Sequence, residues 1–147
     1  PYVIEYNVRM GDPETEAVML RIDSDLLELF AAAANGALGD TLLKISPLAA
    51  ATVMAVSPGY PGSYPKGLAI SIDTSRIPAE AVLFHAGTRR NPDGTSVTAG
   101  GRVIAASATA PSLAEALATA YQAMDAIDFE GKYLRSDIGR DVLSLME

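Results

Sequence analysis

Val3-Ile4-Glu5-Tyr6-Asn7-Val8-Arg9-Met10-Gly11-Asp12-Pro13-Glu14-Thr15 carries two different kinds of signal, one on each side of a single turn. From Tyr2 to Val8 the residues are rich in β-branched and aromatic side chains, which reads as a strand. Gly11 permits a sharp turn, Asp12 can cap a helix, and Pro13 suits the first helical position. A helix is therefore expected next. Val18, Ile22, Leu26, Leu29 and Ala33 recur at three- and four-residue spacing, and Asn35-Gly36 offers a stop. Arg21, Asp23, Asp25 and Glu28 fall on the solvated face.

The strand half of this stretch holds the candidate chemistry. Glu5 and Asn7 are two apart, so on a strand both point to one face and their oxygens can converge on one ion. A carboxylate with an amide oxygen is a hard-donor set that suits Mg²⁺, although the polar face of any exposed strand reads the same way. Arg9 shares that alternating face, and its fork fits a carboxylate or phosphate; pairing with Glu5 or Glu14 is the structural alternative. Asp12 reads first as a helix cap. The positive end of the expected helix favours an anionic ligand here.

Working outward, the pattern changes at Leu42 to short β-type runs between turn residues. Expected strands are Ala50 to Val56, Leu68 to Ile72, Val82 to His85, Ser96 to Thr98 and Arg102 to Thr109, with a turn at Asn91-Pro92-Asp93-Gly94. The segment Ser57 to Gly67 is too rich in glycine and proline for regular structure. It is neither a Walker loop nor a dinucleotide fingerprint, but its backbone amides and Lys66 could approach a ligand. Ser112 with Glu115 forms a capping-box signature, after which Leu113, Leu117, Ala120, Tyr121, Met124 and Ile127 share a helical face. Tyr133-Leu134-Arg135 reads as a short strand and Asp137 onward as a last helical turn or two.

Composition limits the chemistry further. The 147 residues are 49% hydrophobic and 20% charged, which is enough apolar material for a core. A net charge of −7 argues against a nucleic-acid surface spread over the chain. With no cysteine and one histidine, thiolate chemistry and His-cluster metal sites are excluded, so any metal must be held by oxygen. No signal peptide or long apolar span is visible, so no membrane is expected and a cytoplasmic location is. Opening directly on a strand, the chain reads as a piece of a longer polypeptide.

Taken in order, Val3 to Thr15, Ser24-Asp25-Leu26, Gly59-Tyr60-Pro61-Gly62-Ser63-Tyr64, Phe84-His85-Ala86-Gly87-Thr88, Gly100-Gly101-Arg102-Val103 and Arg135-Ser136-Asp137-Ile138-Gly139 resemble the C-terminal third of the phosphoribosylamine-glycine ligases. These are the glycinamide ribonucleotide synthetases, ATP-grasp enzymes of purine biosynthesis. The first stretch is close to the family signature, with Tyr6 and Met10 departing from the usual residues; Pro65 and Arg140 depart in two later loops. The resemblance implies an α+β chain: residues 1–41 end an ATP-grasp domain, and residues 42–147 form a small barrel-sandwich-like β domain with flanking helices. It implies Glu5 and Asn7 as Mg²⁺ or Mn²⁺ ligands, and Arg9 at the site where an acyl phosphate forms. Asp12, Lys66, Arg102 and Arg135 are implied as substrate contacts. The expected partners are glycine, 5-phosphoribosylamine and ATP, with the chain alone inactive. The alternative is a non-catalytic carrier or binding module of barrel-sandwich type, for which only Lys44, Lys66 and Lys132 are available, none in a Met-Lys-Met turn.

Overall fold

The computed structural model describes residues 2–145. Residues 2–10 form no strand, contrary to the sequence expectation, and every side chain there is exposed: Tyr2 is 99% accessible, Ile4 96% and Val8 95%. A strand exists only through its partners, and nothing among the described residues pairs with this arm. The expected single helix is two helices, α1 (Glu14–Met19) and α2 (Leu26–Ala34). Between them Ile22 leaves the helix to form a bridge with Ile45, and Arg21 Nη2 donates to Ser46 O at 2.7 Å. Asp25 then starts α2, its carboxylate accepting from Leu27 N and Glu28 N, and Asn35-Gly36 ends it as expected. That cap lies inside what the apolar spacing alone reads as one continuous helix.

The rest of the chain follows the expected order closely. Strands β1 (Ala49–Val56), β2 (Ala69–Ile72), β3 (Ala81–His85), β4 (Thr88–Arg90), β5 (Ser96–Thr98) and β6 (Arg102–Ala110) precede helix α3 (Leu113–Met124). A two-residue strand β7 (Ile127–Asp128) and a short helix α4 (Arg140–Ser144) complete it. The pairing is antiparallel throughout, in two sheets of order β1-β6-β3 and β4-β5-β2-β7. The expected strand at Tyr133 is reduced to one bridge with Val56.

Register explains the core. Val53 lies opposite Ala106, Ala55 opposite Ile104 and Ala51 opposite Ala108, so one sheet face is apolar, and most of it is small. Small side chains let α3 lie close, and Ala116, Ala120, Ala123 and Met124 are buried against that face. The Ser112–Glu115 capping box forms as the sequence indicates and fixes where α3 begins. Lys132 closes the far end: its Nζ donates to Met124 O at 3.1 Å and also to Ile127 O.

The two sheets meet at a corner that only glycine can occupy. Gly87 N donates to Arg102 O at 2.8 Å, and Gly87 O accepts from Ala99 N and Gly100 N. A Cβ on Gly87 would lie 2.6 Å from Gly100 Cα and run into Arg102 O. The small-residue runs at Ala86-Gly87 and Gly100-Gly101 are therefore the points where the chain passes between sheets.

Candidate functional site

A cavity of about 680 Å³ opens beside this corner. Met54 and Val56 of β1, the Gly59-Tyr60-Pro61 turn, Tyr133, Leu134 and Ile138 make apolar walls, and Pro13, Arg102 and Arg135 complete the lining. Its wall at Tyr60 depends on Gly101. A Cβ there would overlap the Tyr60 ring and come within 3.1 Å of Tyr64, so the absent side chain is what lets both rings settle against Gly101. The rings stand 6.2 Å apart at 57°, a tilted aromatic pair. Ser57 ties the same turn to the corner: its backbone N donates to Gly101 O and its hydroxyl to Gly100 O, each at 2.8 Å.

The two arginines are held differently. Arg102 opens β6 and reaches back to Asp12, with Nη1 donating to Asp12 O at 2.6 Å and Nη2 lying 3.4 Å from Asp12 Oδ2. Asp12 is thus a partner of Arg102 and not a helix cap. The N-cap position falls to Pro13, with no side-chain cap bond, and Glu14 Oε1 accepts from Gly11 N instead. Arg135 makes a two-pronged pair with Asp137, Nε to Oδ1 and Nη2 to Oδ2, both at 2.8 Å. Those hydrogen bonds, then the opposite charges, raise the guanidinium pKa and hold the Asp137 carboxyl below the usual carboxylate range. The sequence reading names Arg135 without Asp137, and the Arg-x-Asp spacing is the signal that pairs them.

The fold brings together some expected site residues and separates others. Arg102 and Arg135 share the cavity, with Asp12 attached to Arg102. Glu5 and Asn7 also meet, Asn7 Nδ2 donating to Glu5 Oε1 at 3.1 Å, but on the exposed arm. Arg9 is exposed too, with Nη1 at 3.4 Å from Met10 O. Lys66 is exposed in the Ser57–Gly67 connection and does not line the cavity. His85 Nδ1 faces Thr88 Oγ1 at 3.1 Å across the β3–β4 turn, a structural role.

Could the arm hold a divalent cation? Among the described residues no group of three or more His, Cys, Asp or Glu is placed to do so. Glu5 and Asn7 do fit as two members of a mixed set. Their side chains already converge, and turning the Asn7 amide presents its oxygen beside the Glu5 carboxylate. Mg²⁺ keeps several waters and shares its shell with phosphate, so two protein oxygens are a usual contribution.

These features define a class: a mixed α/β chain with two antiparallel sheets, a packed helix and a cavity carrying two guanidinium groups. The particular family follows from comparison with known proteins. The family model described as "Phosphoribosylglycinamide synthetase, C domain" matches residues 50–141, and the chain belongs to that family. A phosphoribosylamine–glycine ligase of Chlorobaculum tepidum is 49% identical over 144 residues, which is 97% of this chain and 34% of that protein. A bifunctional purine biosynthetic protein of Dictyostelium discoideum is 40% identical, covering 99% of this chain and 18% of its own length. The crystal structure of a phosphoribosylamine–glycine ligase from Thermotoga maritima superposes with a TM-score of 0.71 at 35% identity, over 93% of this chain and 33% of that one. This chain thus spans about a third of the single-function relatives it matches.

Proposed function

We propose that this chain is the C-terminal part of an ATP-dependent ligase that joins glycine to 5-phosphoribosylamine, giving glycinamide ribonucleotide, ADP and phosphate in purine biosynthesis. The observation that carries this reading is the near end-to-end match, at 49% identity, to a relative named for that ligation. In this scheme ATP phosphorylates the glycine carboxylate and the amine displaces phosphate from the resulting glycyl phosphate. Such chemistry asks for positioning and charge neutralisation, not a protein nucleophile. That demand agrees with a chain that has no cysteine and whose histidine bonds Thr88.

Residues 1–41 would end the ATP-grasp domain, and residues 42–147 would form the barrel-sandwich-like domain that closes one side of the site. Glu5 and Asn7 would hold Mg²⁺ or Mn²⁺, which when bound offsets charge on phosphoryl oxygens. Arg9, next along the arm, would set a guanidinium beside the acyl phosphate. Arg102 and Arg135, facing one cavity with apolar walls, suit the phosphoribosyl end of the amine. Lys66 would join them only if the Ser57–Gly67 connection folds inward, and Asp12 would act through Arg102. No described helix is long and apolar enough to cross a membrane, and we place the enzyme in the cytoplasm with its small soluble substrates.

The test is turnover by the full-length polypeptide. ADP release should require both glycine and 5-phosphoribosylamine, and Glu5→Ala should abolish it while the thermal melt stays unchanged. The chain alone, about a third of the length of its single-function relatives, should show no turnover. ADP release independent of glycine, or full activity in Glu5→Ala, would overturn the reading.

A further inference from the structure

The segment that carries Arg135 to the cavity is fixed on both sides of that residue. Tyr133 exchanges two backbone bonds with Val56 of β1, Val56 N donating to Tyr133 O at 2.8 Å and Tyr133 N to Val56 O at 3.2 Å. Arg135 O and Ile138 N both bond the hydroxyl of Tyr121 on α3, and Asp137 O accepts from Arg140 N at 3.2 Å. Ile138 also packs against the buried cluster of Ala51, Ala116 and Leu117. Every one of these partners lies between Ala51 and Arg140, so contacts with β1 and α3 set the backbone at Arg135 and Asp137.

Asp137 therefore meets Arg135 from a fixed backbone. Its carboxylate takes Nε and Nη2, each at 2.8 Å, and so occupies the side-on edge of the guanidinium. The end-on edge, formed by Nη1 and the second N–H of Nη2, has no partner among the described residues. Arg102 is held the other way about: Nη1 donates to Asp12 O and Nη2 stands beside Asp12 Oδ2, which uses its end-on edge. Of the two cavity arginines, Arg135 is thus the one whose parallel end-on N–H pair can take two oxygens of one phosphate.

We infer that Asp137 is a positioning residue for the phosphate group of the amine substrate: by holding the side-on edge of Arg135 it keeps the end-on edge presented to the anion. The assignment rests on the placement of the phosphoribosyl end at Arg102 and Arg135 given above. Two effects of the carboxylate oppose each other. Its charge repels an incoming phosphate, but the two anions would occupy different edges of one guanidinium in open solvent, with the Arg135 and Asp137 side chains 65% and 48% accessible, where salt screens such terms. Its hydrogen bonds remove rotamer freedom that Arg135 would otherwise lose on binding. The ordering of one such side chain corresponds to about a two- to tenfold change in affinity, which exceeds the screened repulsion. Asp137 thus strengthens phosphate binding despite its sign.

The experiment uses the full-length polypeptide and reads KM for 5-phosphoribosylamine against kcat, with calorimetric titration of ribose 5-phosphate as a direct probe. Arg135→Ala should weaken ribose 5-phosphate binding and raise KM by about tenfold or more, as loss of charge-assisted hydrogen bonds does. Asp137→Asn keeps the shape and loses one of the two acceptors. It should raise KM and weaken the probe by about two- to tenfold, with kcat and the neutral-pH melting temperature nearly unchanged. In the Arg135→Ala background the same change should have no effect on probe binding, because Asp137 acts only through that guanidinium. Unchanged or tighter probe binding in Asp137→Asn would overturn the inference, as would an equal loss with and without the Arg135 side chain, which a purely structural role gives. Arg135→Ala separates this inference from the reading beneath it. If that variant leaves probe binding and KM unchanged, the placement of the phosphoribosyl end fails and the inference with it; if it weakens both while Asp137→Asn weakens neither, the placement stands and only the positioning role falls.

Discussion

The hydroxyl of Tyr121 joins α3 to the cavity wall at Arg135: it donates to Arg135 O at 2.8 Å and accepts from Ile138 N at 3.2 Å. One side chain thus satisfies two backbone groups of the segment that carries Arg135 and Ile138 into the cavity.

Tyr121→Phe keeps the ring and removes both bonds. It should cost about 1–2 kcal/mol, since it leaves a donor and an acceptor to find water. Urea denaturation checks the loss, and in the full-length enzyme the KM for the amine should rise more than kcat falls. No change in either would mean that water replaces the hydroxyl at no cost.

Gly101→Ala places a methyl group inside the Tyr60 ring. Tyr60 and Tyr64 must move, and overpacking of this kind costs about 1–3 kcal/mol. Near-ultraviolet circular dichroism should report the displaced tyrosines while the far-ultraviolet spectrum holds. Substrate affinity should fall through loss of the cavity wall; a variant with native spectra and native KM would show that the rings do not form it.

The pH dependence follows from three carboxyls whose pKa values are held low in the folded protein: Asp137 by hydrogen bonds from Arg135, Asp73 by those from Ser75 and Asp93 by those from Thr95. A lowered folded-state pKa means that the unfolded chain binds more protons across the window between the two values, so stability rises with pH there. It is fully present above the ordinary carboxylate range and is lost as pH falls below about 4. Asp137→Asn should flatten the acid limb of a melting-temperature profile and leave the neutral limb nearly unchanged. An acid limb of unaltered slope would exclude Asp137 as a contributor.

Lys132 holds the C-terminal end of α3 through Met124 O and Ile127 O. Lys132→Met retains most of the apolar stem and should cost about 1–2 kcal/mol by leaving those carbonyls without their charged donor. Thermal unfolding checks it. Because this amine is committed to the fold, the mass of the native protein should show no group attached at Lys132.

Local rules accounted for much of the fold. The capping box at Ser112 and Glu115, the Asn91–Gly94 turn and the alternation through Leu68, Ile70 and Ile72 each depend on residues a few positions apart, and all three form as read. The misses have a common cause. Tyr2 to Val8 has strand character but no partner among the described residues, while Thr88-Arg89-Arg90 has little strand character yet becomes β4 because β5 lies beside it. Ile22 keeps the helical spacing and nonetheless leaves the helix for a bridge with Ile45. Asp12 has cap chemistry, yet its carboxylate faces Arg102.

The sequence by itself determined the family resemblance and most of the caps and turns that punctuate the chain, because each is written in neighbouring residues. Only the tertiary structure decided which cations share a cavity and which carboxylate each one meets. Pro13, Tyr60, Arg102 and Arg135 come from four separated segments, and they converge because Gly87, Gly100 and Gly101 let the sheets turn a corner at close approach. Such a meeting depends on packing across the whole chain, and no local pattern of residues encodes it.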